Sequence, residues 1–547
     1  MKNRPLLIVL ALLALAGGAA LRLARLGNRP MHPDEAVQAF KLGRLLEEGE
    51  YVYDPLEYHG PALHYCAWPV VRLGAGAGTL GQLTETGLRL TPALFGIALI
   101  TLLWPLRRDI GPAGTAWAVA FTALSPALVF YGRYYISETL LVTFSFGAVV
   151  GFWRYLRAGE PWRRGWPWLV LAGLGVGMMH ATKETSAIVL LAMAPAAGLT
   201  LLWNGWEGRS PDKARVIGAA RGMGVGVALA AIVSALLFSS FLSNPRGPWD
   251  SIATYFSYAF RASGRGDASW HLHPWHYYLR VILWWGKPGE GFWTHAPVAA
   301  LAVIGFIRGS RGGDESAPVS APLMRFLGLY TVLLIVMYSV IPYKTPWCIL
   351  GAVHGMVLLA GIGAAALLRL MPGRRLRVTA VLAVALTLGY TGWQAWRDSF
   401  VEYENPESPY VYAQATSDVP ALADRIRDLA SVHPAGEAMH IQVVCPGNDY
   451  WPLPWYLRRF TAVGWHNSMP EGDPAPVIIL KPELEPELIE HLYEKPPPGG
   501  RTLYVDFLQS MPEGKVELRP NVFLRAYVRA DLWEKFDARP TGEELAP

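Results

Sequence analysis

The stretch Met31-His32-Pro33-Asp34-Glu35-Ala36 decides how this chain is interpreted, because it places two adjacent carboxylates shortly after a long apolar segment. A charge inside hydrocarbon costs about 2.5–3.5 kcal/mol at a helix centre and less near the membrane surface. Asp34 and Glu35 therefore indicate either a functional site at a membrane edge or the solvated tip of a loop. The dipeptide alone leaves both interpretations open, and the polar residues elsewhere in the chain favour the first.

Composition places the chain among polytopic α-helical membrane proteins. Of its 547 residues, 52% are hydrophobic and only 17% are charged. The apolar residues occur in blocks close to the roughly 20 residues that a spanning helix needs. The block 166–203 is too long for one span, and the polar residues Thr182-Lys183-Glu184 at its centre predict a turn between two helices. We predict about eleven transmembrane helices, near residues 6–21, 88–106, 113–131, 139–157, 166–182, 184–203, 217–242, 292–308, 323–341, 347–369 and 376–396.

The distribution of basic residues predicts the orientation of these helices. The net charge of +5 does not indicate a nucleic-acid partner, because the basic residues lie in short loops between spans. Alternate loops carry groups of arginines, whereas the short loops opposite hold one basic residue each, namely Arg133, Lys183 and Lys344. By the positive-inside rule the arginine-rich side is cytoplasmic. The N-terminus is then cytoplasmic, and an odd number of spans puts the C-terminal residues outside.

The chain divides into two predicted domains. Residues 1–397 form the transmembrane domain, with amphipathic helices near 36–48 and 56–73 in its first outer loop. Whether the first helix is retained or removed as a signal peptide stays open. Residues 398–547 are no longer membrane-like. A helix after Ser417-Asp418 and short strands at 440–445, 476–480 and 502–507 predict a small extracytoplasmic α/β domain.

The predicted outer loops contain three charged residues that suit an amphiphile with an anionic head and an apolar tail, namely Glu138, Lys183 and Lys344. A lysine at the membrane edge can clamp a phosphate, and a carboxylate can take a proton from an attacking hydroxyl. Each residue also has a structural explanation. Lys183 can pair with its neighbour Glu184, Lys344 can extend towards the interface, and Glu138 can favour the start of a helix.

A histidine cluster raises the question of a metal ion. His271-Leu272-His273-Pro274-Trp275-His276 brings imidazoles near one another in the long outer loop 243–291. The tryptophans and tyrosines that follow indicate an aromatic belt at the membrane interface, in which the histidines are incidental. No cofactor is certain, and a divalent metal ion is one alternative, with His271 and His273 as candidate ligands in this cluster.

Five motifs, taken in order, resemble those of a known family. His32-Pro33-Asp34-Glu35-Ala36 after the first helix resembles the glycosyltransferase-C superfamily, in the branch of the dolichyl-phosphate-mannose–protein mannosyltransferases. The chain is similar to a prokaryotic subgroup of that branch, labelled as associated with lipid flipping and archaeal-type glycosylation. The motifs that carry this similarity are Thr182-Lys183-Glu184, His273-Pro274-Trp275, Tyr343-Lys344-Thr345-Pro346-Trp347 and Trp451-Pro452-Leu453-Pro454-Trp455-Tyr456-Leu457.

The resemblance implies an inverting hexosyltransferase of the cell envelope, resident in the inner (plasma) membrane. Its donor is a sugar on a polyprenyl phosphate, and its acceptor is a protein, lipid or glycan that the sequence does not specify. The family's first-loop acid maps onto Asp34, with Glu35 as a supporting acid. Its second-loop acid maps onto Glu138, where many relatives have Asp, and this departure leaves metal use in doubt. The carrier phosphate maps onto Lys183 and Lys344, with Arg133 a further candidate by position.

Two other classes of function compete with the enzyme. A transporter or flippase for lipid-linked sugars would typically show repeats and charges near the bilayer midplane. The charges here lie at the predicted membrane edge, and no repeat is visible. A non-catalytic assembly factor or sugar-binding protein is the second alternative. Loss of turnover on changing Asp34, with normal insertion into the membrane, distinguishes the enzyme from it.

The topology makes the first testable prediction. Cysteines placed at residue 473 of the C-terminal tail should react with a membrane-impermeant reagent in intact cells or spheroplasts. Cysteines placed at Arg163 or Arg374 should react only after lysis, because those arginines mark the cytoplasmic side. Labelling at 374 but not at 473 in intact cells would overturn the orientation.

Overall fold

A computed structural model describes residues 4–55, 59–158, 161–208, 213–263, 271–286, 291–312, 319–497, 499–509 and 514–539. The chain forms two compact units. We call them the membrane unit, made of Met1–Leu26, Arg44–Gly76 and Thr84–Tyr412, and the C-terminal unit, made of Gly27–Gly43, Ala77–Leu83 and Ala413–Pro547.

Helices form almost all of the membrane unit's regular structure. The helix α2 (Pro33–Glu48) begins in the C-terminal unit and ends in the membrane unit. A two-stranded ribbon pairs β1 (Trp285–Gly286) with β2 (Phe292–Trp293). The other helices are α1 (Arg4–Leu23), α3 (Ala62–Pro69), α4 (Glu85–Thr101), α5 (Pro112–Leu124), α6 (Pro126–Tyr131), α7 (Glu138–Arg157), α8 (Pro161–Arg164), α9 (Trp166–His180), α10 (Ser186–Trp206), α11 (Lys213–Phe238), α12 (Gly247–Ala262), α13 (Tyr277–Leu283), α14 (Ala296–Ser310), α15 (Ala321–Val340), α16 (Leu350–Leu370) and α17 (Gly373–Phe400).

Eight helices among the described residues are long and apolar enough to cross a membrane. The other three predicted spans fall on shorter or interrupted helices. Pro126 separates α5 from α6, while α9 and α14 have 15 residues each. The predicted helical membrane fold is confirmed, and the number of spans stays a prediction. The eight helices are Pro5–Leu23, Glu85–Leu106, Glu138–Arg157, Ser186–Trp206, Val216–Phe238, Ala321–Val340, Pro346–Leu370 and Gly373–Phe400.

Small residues allow the helices of the membrane unit to approach closely. A Cβ atom added at Gly305 of α14 or Gly363 of α16 would overlap a backbone carbonyl oxygen of the facing helix. Membrane helices gain no hydrophobic driving force from one another, so close van der Waals contact at small residues replaces it. The turn predicted at 182–184 is also present, because α9 ends at His180 and α10 begins at Ser186.

A mixed sheet forms the centre of the C-terminal unit. Its strands run in the order β4-β3-β5-β8-β6, with β3 parallel to β4 and β5, while β8 runs antiparallel to β5, β6 and β7. The strands are β3 (Ile441–Val444), β4 (Val463–His466), β5 (Val477–Leu480), β6 (Tyr504–Asp506), β7 (Val516–Arg519) and β8 (Val522–Arg529). The helices are α18 (Asp418–Ala430), α19 (Leu453–Tyr456), α20 (Glu485–Ile489) and α21 (Ala530–Asp537).

The central strands of this sheet are buried on both faces, which is why they consist of continuous apolar residues. Ile441, Val443 and Ile479 contribute to one core cluster, and Val444 and Ile478 contribute to another. The predicted small α/β domain is confirmed. Sequence reasoning found β3, β5, β6 and α18, and missed β4, β7, β8, α19 and α21.

Candidate functional site

The turn between α9 and α10 carries two charged side chains that diverge to different partners. The Lys183 ammonium donates a short hydrogen bond to the Glu138 carboxylate. The neighbouring carboxylate of Glu184 lies 2.7 Å from Nδ1 of His59. Glu138, Lys183 and Glu184 are each less than 10% exposed. The predicted alternative in which Lys183 pairs with Glu184 is therefore not the arrangement in the structure.

Local structure explains how these four groups meet. Glu138 is the first residue of α7, where a carboxylate is favoured by the helix dipole. The loop with His59 runs across the turn, and the backbone N–H of Ala62 donates to the Ala181 carbonyl at 2.8 Å. Gly60 lies so close to Ala181 that any Cβ would overlap its carbonyl oxygen. This close approach brings His59 to Glu184.

The partners of Lys183 and Glu184 offset the cost of burying these two charges. Burial lowers the pKa of Lys183, but the adjacent Glu138 carboxylate outweighs burial and raises that pKa above its ordinary value. Burial raises the pKa of Glu184, but His59 outweighs it and lowers that pKa below its ordinary value. A buried charge that loses its partner is strongly destabilised. Lys183 therefore requires an anion, either Glu138 or one that replaces it.

An apolar cavity begins at this ion pair. It follows α7 from Glu138 to Val149, which spans about 16 Å at 1.5 Å per residue. His354 and Tyr338 are among its few polar neighbours. The cavity lies between α7, α10, α15 and α16, and its apolar lining includes Leu141, Val142, Phe146, Val189, Leu327, Leu334 and Leu358. A charged group at one end and an apolar lining behind it suit an amphiphilic ligand, and the enclosed free volume of about 30 Å³ has to widen before a lipid chain can enter.

The helix α12 covers the site from outside the spans. Tyr258 brings its hydroxyl to 3.1 Å from the same nitrogen of His59, and Tyr255 lies 3.4 Å from the Ser186 hydroxyl. Sequence reasoning missed His59, Tyr255 and Tyr258 as site residues. The available signals were a Gly-Pro pair directly after His59 and two tyrosines one helical turn apart in an amphipathic stretch.

Asp34 and Glu35 belong to the C-terminal unit and have different environments. Glu35 is fully buried, and its carboxylate accepts a hydrogen bond from the backbone N–H of His32 at 3.1 Å. The side chain of Asp34 is 55% exposed, and one of its carboxylate oxygens lies 3.9 Å from Nδ1 of His32. Adjacent residues on a helix point about 100° apart, which explains the difference. Asp34 is therefore the more exposed of the two carboxylates.

Arg133 and Lys344 bind backbone carbonyl groups of the protein itself. The Arg133 guanidinium donates to Leu21, Ala24 and Arg25, at the end of α1. Lys344 is 1% exposed and donates to the carbonyls of His273 and Ile341, and burial lowers its pKa. Their predicted role in phosphate binding stays a prediction, which these contacts do not strengthen.

The metal candidates have other partners. Glu138 is paired with Lys183, and His271 is hydrogen-bonded to the Tyr412 hydroxyl. The ring of His273 stacks on Tyr277 with a centroid distance of 4.3 Å. Among the described residues, no group of three or more His, Cys, Asp or Glu side chains has the geometry of a metal site. We therefore derive no chemical step through a metal ion.

Comparisons with known proteins agree with this architecture. Residues 74–242 match the dolichyl-phosphate-mannose-protein mannosyltransferase family. No curated protein sequence matches the chain. ArnT from Cupriavidus metallidurans in the apo state is 14% identical, with a TM-score of 0.64 over 99% of this chain and 100% of that one. The same protein bound to undecaprenyl phosphate gives 16% identity and a TM-score of 0.61, over 97% of this chain and 99% of that one.

A second solved protein shares the fold over most of the chain. The Archaeoglobus fulgidus oligosaccharyltransferase AglB, in complex with an inhibitory peptide and a dolichol-phosphate, is 12% identical with a TM-score of 0.53. The alignment covers 88% of this chain and 70% of that one. The predicted resemblance is confirmed, and this chain shares the fold of ArnT and AglB.

The Glu184–His59 pair predicts a pH dependence of stability. Because the folded-state pKa of Glu184 lies below its ordinary value of 4.5, the unfolded chain binds more protons as the medium becomes acidic. The stability that this pair contributes is fully present above the ordinary value and is lost as pH falls through the folded-state pKa. Glu184→Gln should therefore lose less thermal stability than the wild type as pH falls below the ordinary value of 4.5.

Unfolding midpoints of the detergent-purified protein test this expectation. The exposed Glu490, which pairs with Lys495 at 3.4 Å in the C-terminal unit, supplies the control variant Glu490→Gln. If acid lowers the unfolding midpoint of Glu184→Gln as much as that of the wild type, the Glu184–His59 pair does not cause this pH dependence.

Proposed function

We propose that this chain is a membrane glycosyltransferase that moves a sugar from a polyprenyl phosphate to an acceptor on the extracytoplasmic face, with inversion. The observation that carries the proposal is the buried Lys183–Glu138 pair at the start of an apolar cavity. A polyprenyl phosphate has the matching chemistry, because it joins one anionic head to one long apolar chain. The donor is a hexose carrier, and the acceptor is a protein, lipid or glycan.

The comparisons support the donor class. ArnT has been solved with undecaprenyl phosphate, and AglB with a dolichol-phosphate. Both lipids are polyprenyl phosphates. The description of the family matched by residues 74–242 names a third molecule of this class, dolichyl-phosphate-mannose.

Lys183 is proposed to change partners when the donor binds. In the free protein its ammonium is neutralised by Glu138. A donor phosphate entering beside the pair supplies a stronger anion, and charge-assisted hydrogen bonds to phosphate are short and strong. As the bond between the anomeric carbon and the phosphate oxygen breaks, negative charge increases on the phosphate. Lys183 stabilises that charge, and the polyprenyl phosphate departs with the bonding electron pair.

Asp34 is proposed as the general base. The acceptor oxygen attacks the anomeric carbon from the side opposite the phosphate, so the configuration inverts in one displacement. The hydroxyl proton passes to the exposed carboxylate of Asp34 as the new bond forms. Glu35 is buried and holds the backbone of His32, which fits a supporting role.

The cellular location is the second part of the proposal. The chain is a multi-pass membrane protein. We place it in the inner (plasma) membrane with a cytoplasmic N-terminus and an extracytoplasmic C-terminal domain. The support is the arginine bias of alternate loops, which the positive-inside rule assigns to the cytoplasm. The cavity entrance at Lys183 then faces the outer leaflet.

Removing Lys183 should weaken binding of the carrier. Loss of a charge-assisted hydrogen bond costs about 1.5–3 kcal/mol, which is roughly a 10- to 150-fold loss of affinity for polyprenyl phosphate. Because Lys183→Ala leaves Glu138 buried without its partner, a double variant with Lys183→Met and Glu138→Gln removes both charges. Titration of the purified protein with polyprenyl phosphate measures the affinity.

The exposed Lys495, which is paired with Glu490, supplies the control Lys495→Ala. That variant should bind the carrier like the wild type. Unchanged affinity in both Lys183 variants would remove this residue from the donor site.

Asp34→Asn should remove turnover while leaving the carrier bound. The change preserves size and deletes the base, so turnover should fall about 10²- to 10⁴-fold at unchanged affinity for polyprenyl phosphate. Transfer to acceptor by purified protein in detergent measures the effect. Detergent also separates a transferase from a flippase, since it offers no second leaflet. Asp473→Asn, at an exposed loop of the C-terminal unit, is the control. Full turnover by Asp34→Asn would exclude this residue as the base.

A further inference from the structure

Parts of the first outer loop share one compact unit with the C-terminal domain, although more than 300 residues of sequence lie between them. Residues 27–43 and 77–83 cluster with residues 413–547. The predicted division at residues 397 and 398 separates these segments. The proposed base, Asp34, is therefore carried by the same unit as the C-terminal sheet. We call residues 27–43 the first-loop segment.

Two hydrogen bonds hold the backbone of the first-loop segment just before Asp34. The side-chain amide of Gln414 donates to the Pro30 carbonyl at 2.9 Å. The Tyr456 hydroxyl accepts from the backbone N–H of Met31 at 2.7 Å. Met31 is fully buried and Gln414 is 2% exposed, so neither bond is readily exchanged for water.

Aromatic packing fixes the segment on the other side of Asp34. Phe40, two turns further along α2, meets the ring of Trp451 edge-on at a centroid distance of 5.5 Å. Trp451 is itself fixed to the sheet, because Arg519 of β7 donates to its carbonyl at 2.8 Å. Asp34 therefore lies between two attachments to the C-terminal domain.

Residues 77–83 form a second stretch of the first outer loop in this unit. They are attached by the same part of the C-terminal domain. The Arg458 guanidinium donates to the Leu83 carbonyl at 2.8 Å and stacks on the Trp455 ring at 3.7 Å. Trp455 and Leu453 are fully buried in the domain, so this anchor is rigid. The motif 451–457 thus contacts the first outer loop directly through Trp451 and Tyr456, and indirectly through Trp455, on which Arg458 stacks.

We propose that the C-terminal domain positions the catalytic base, with Tyr456 and Gln414 as its positioning residues. The inference rests on the proposed role of Asp34. A base must be held close to its productive geometry, and a displacement near 1 Å can cost about 10²-fold in rate. The domain itself binds neither the carrier lipid nor its phosphate in this account. Loosening its attachment lowers kcat and leaves the affinity for polyprenyl phosphate unchanged.

Tyr456→Phe and Gln414→Met test this inference, since each removes the hydrogen bond to the first-loop segment described above and nearly keeps the side-chain volume. Tyr504→Phe is the matched control, because the Tyr504 hydroxyl donates to the Ala475 carbonyl at 2.8 Å within the same domain, with no bond to the first outer loop. Three quantities are measured on the full chain in detergent: kcat for transfer, affinity for polyprenyl phosphate, and hydrogen exchange of residues 27–43.

Both test variants should exchange faster over residues 27–43 and lose about 10- to 100-fold in kcat at unchanged carrier affinity. Tyr504→Phe should behave like the wild type in all three measurements. Unchanged exchange in both test variants would overturn the attachment, whatever the activity. Faster exchange with unchanged kcat would overturn the positioning role alone. Absence of turnover in the wild type would instead contradict the proposed function, and the exchange data would still decide whether the domain holds the segment.

Discussion

The pairing of Lys183 with Glu138 is the interaction on which the rest of the membrane unit depends. A charge at the edge of the hydrocarbon must be neutralised, and a buried pair is stable only while both partners stay in place. The pair fixes the turn after α9 against the start of α7. The apolar cavity begins at that point, and the same turn presents Glu184 to His59. One local ion pair therefore connects the helix packing, the cavity and the chemistry.

This arrangement also explains why the site can be both stable and reactive. A lysine left alone in an apolar site would lose its proton or destabilise the fold. Glu138 keeps Lys183 charged in the absence of ligand, so the cation is present before a donor arrives. Under the proposed function, an incoming phosphate competes with one carboxylate and not with bulk water. Electrostatic stabilisation of a leaving phosphate is most effective when its partner is already fixed and dry.

Much of the fold could be predicted from the sequence because it depends on local patterns. Apolar blocks identified the spans, and the polar triplet at 182–184 identified the turn between α9 and α10. The partners of the charged residues could not be predicted, because they are distant in sequence. Lys183 lies beside Glu184 in the chain but pairs with Glu138, 45 residues away. Arg133 is a candidate phosphate ligand by its position in a predicted outer loop, yet its guanidinium binds backbone carbonyls at the end of α1. The contacts between the first-loop segment and Tyr456 likewise join residues 425 positions apart.

The most direct measurement is an experimental structure of the full chain with a polyprenyl phosphate. The account predicts a phosphate oxygen at about 2.7–2.9 Å from the Lys183 ammonium, with Glu138 displaced from it. It also predicts the isoprenoid chain in the cavity between α7, α10, α15 and α16. A lipid bound elsewhere, with the Lys183–Glu138 pair intact and no lipid in the cavity, would contradict the proposed donor site.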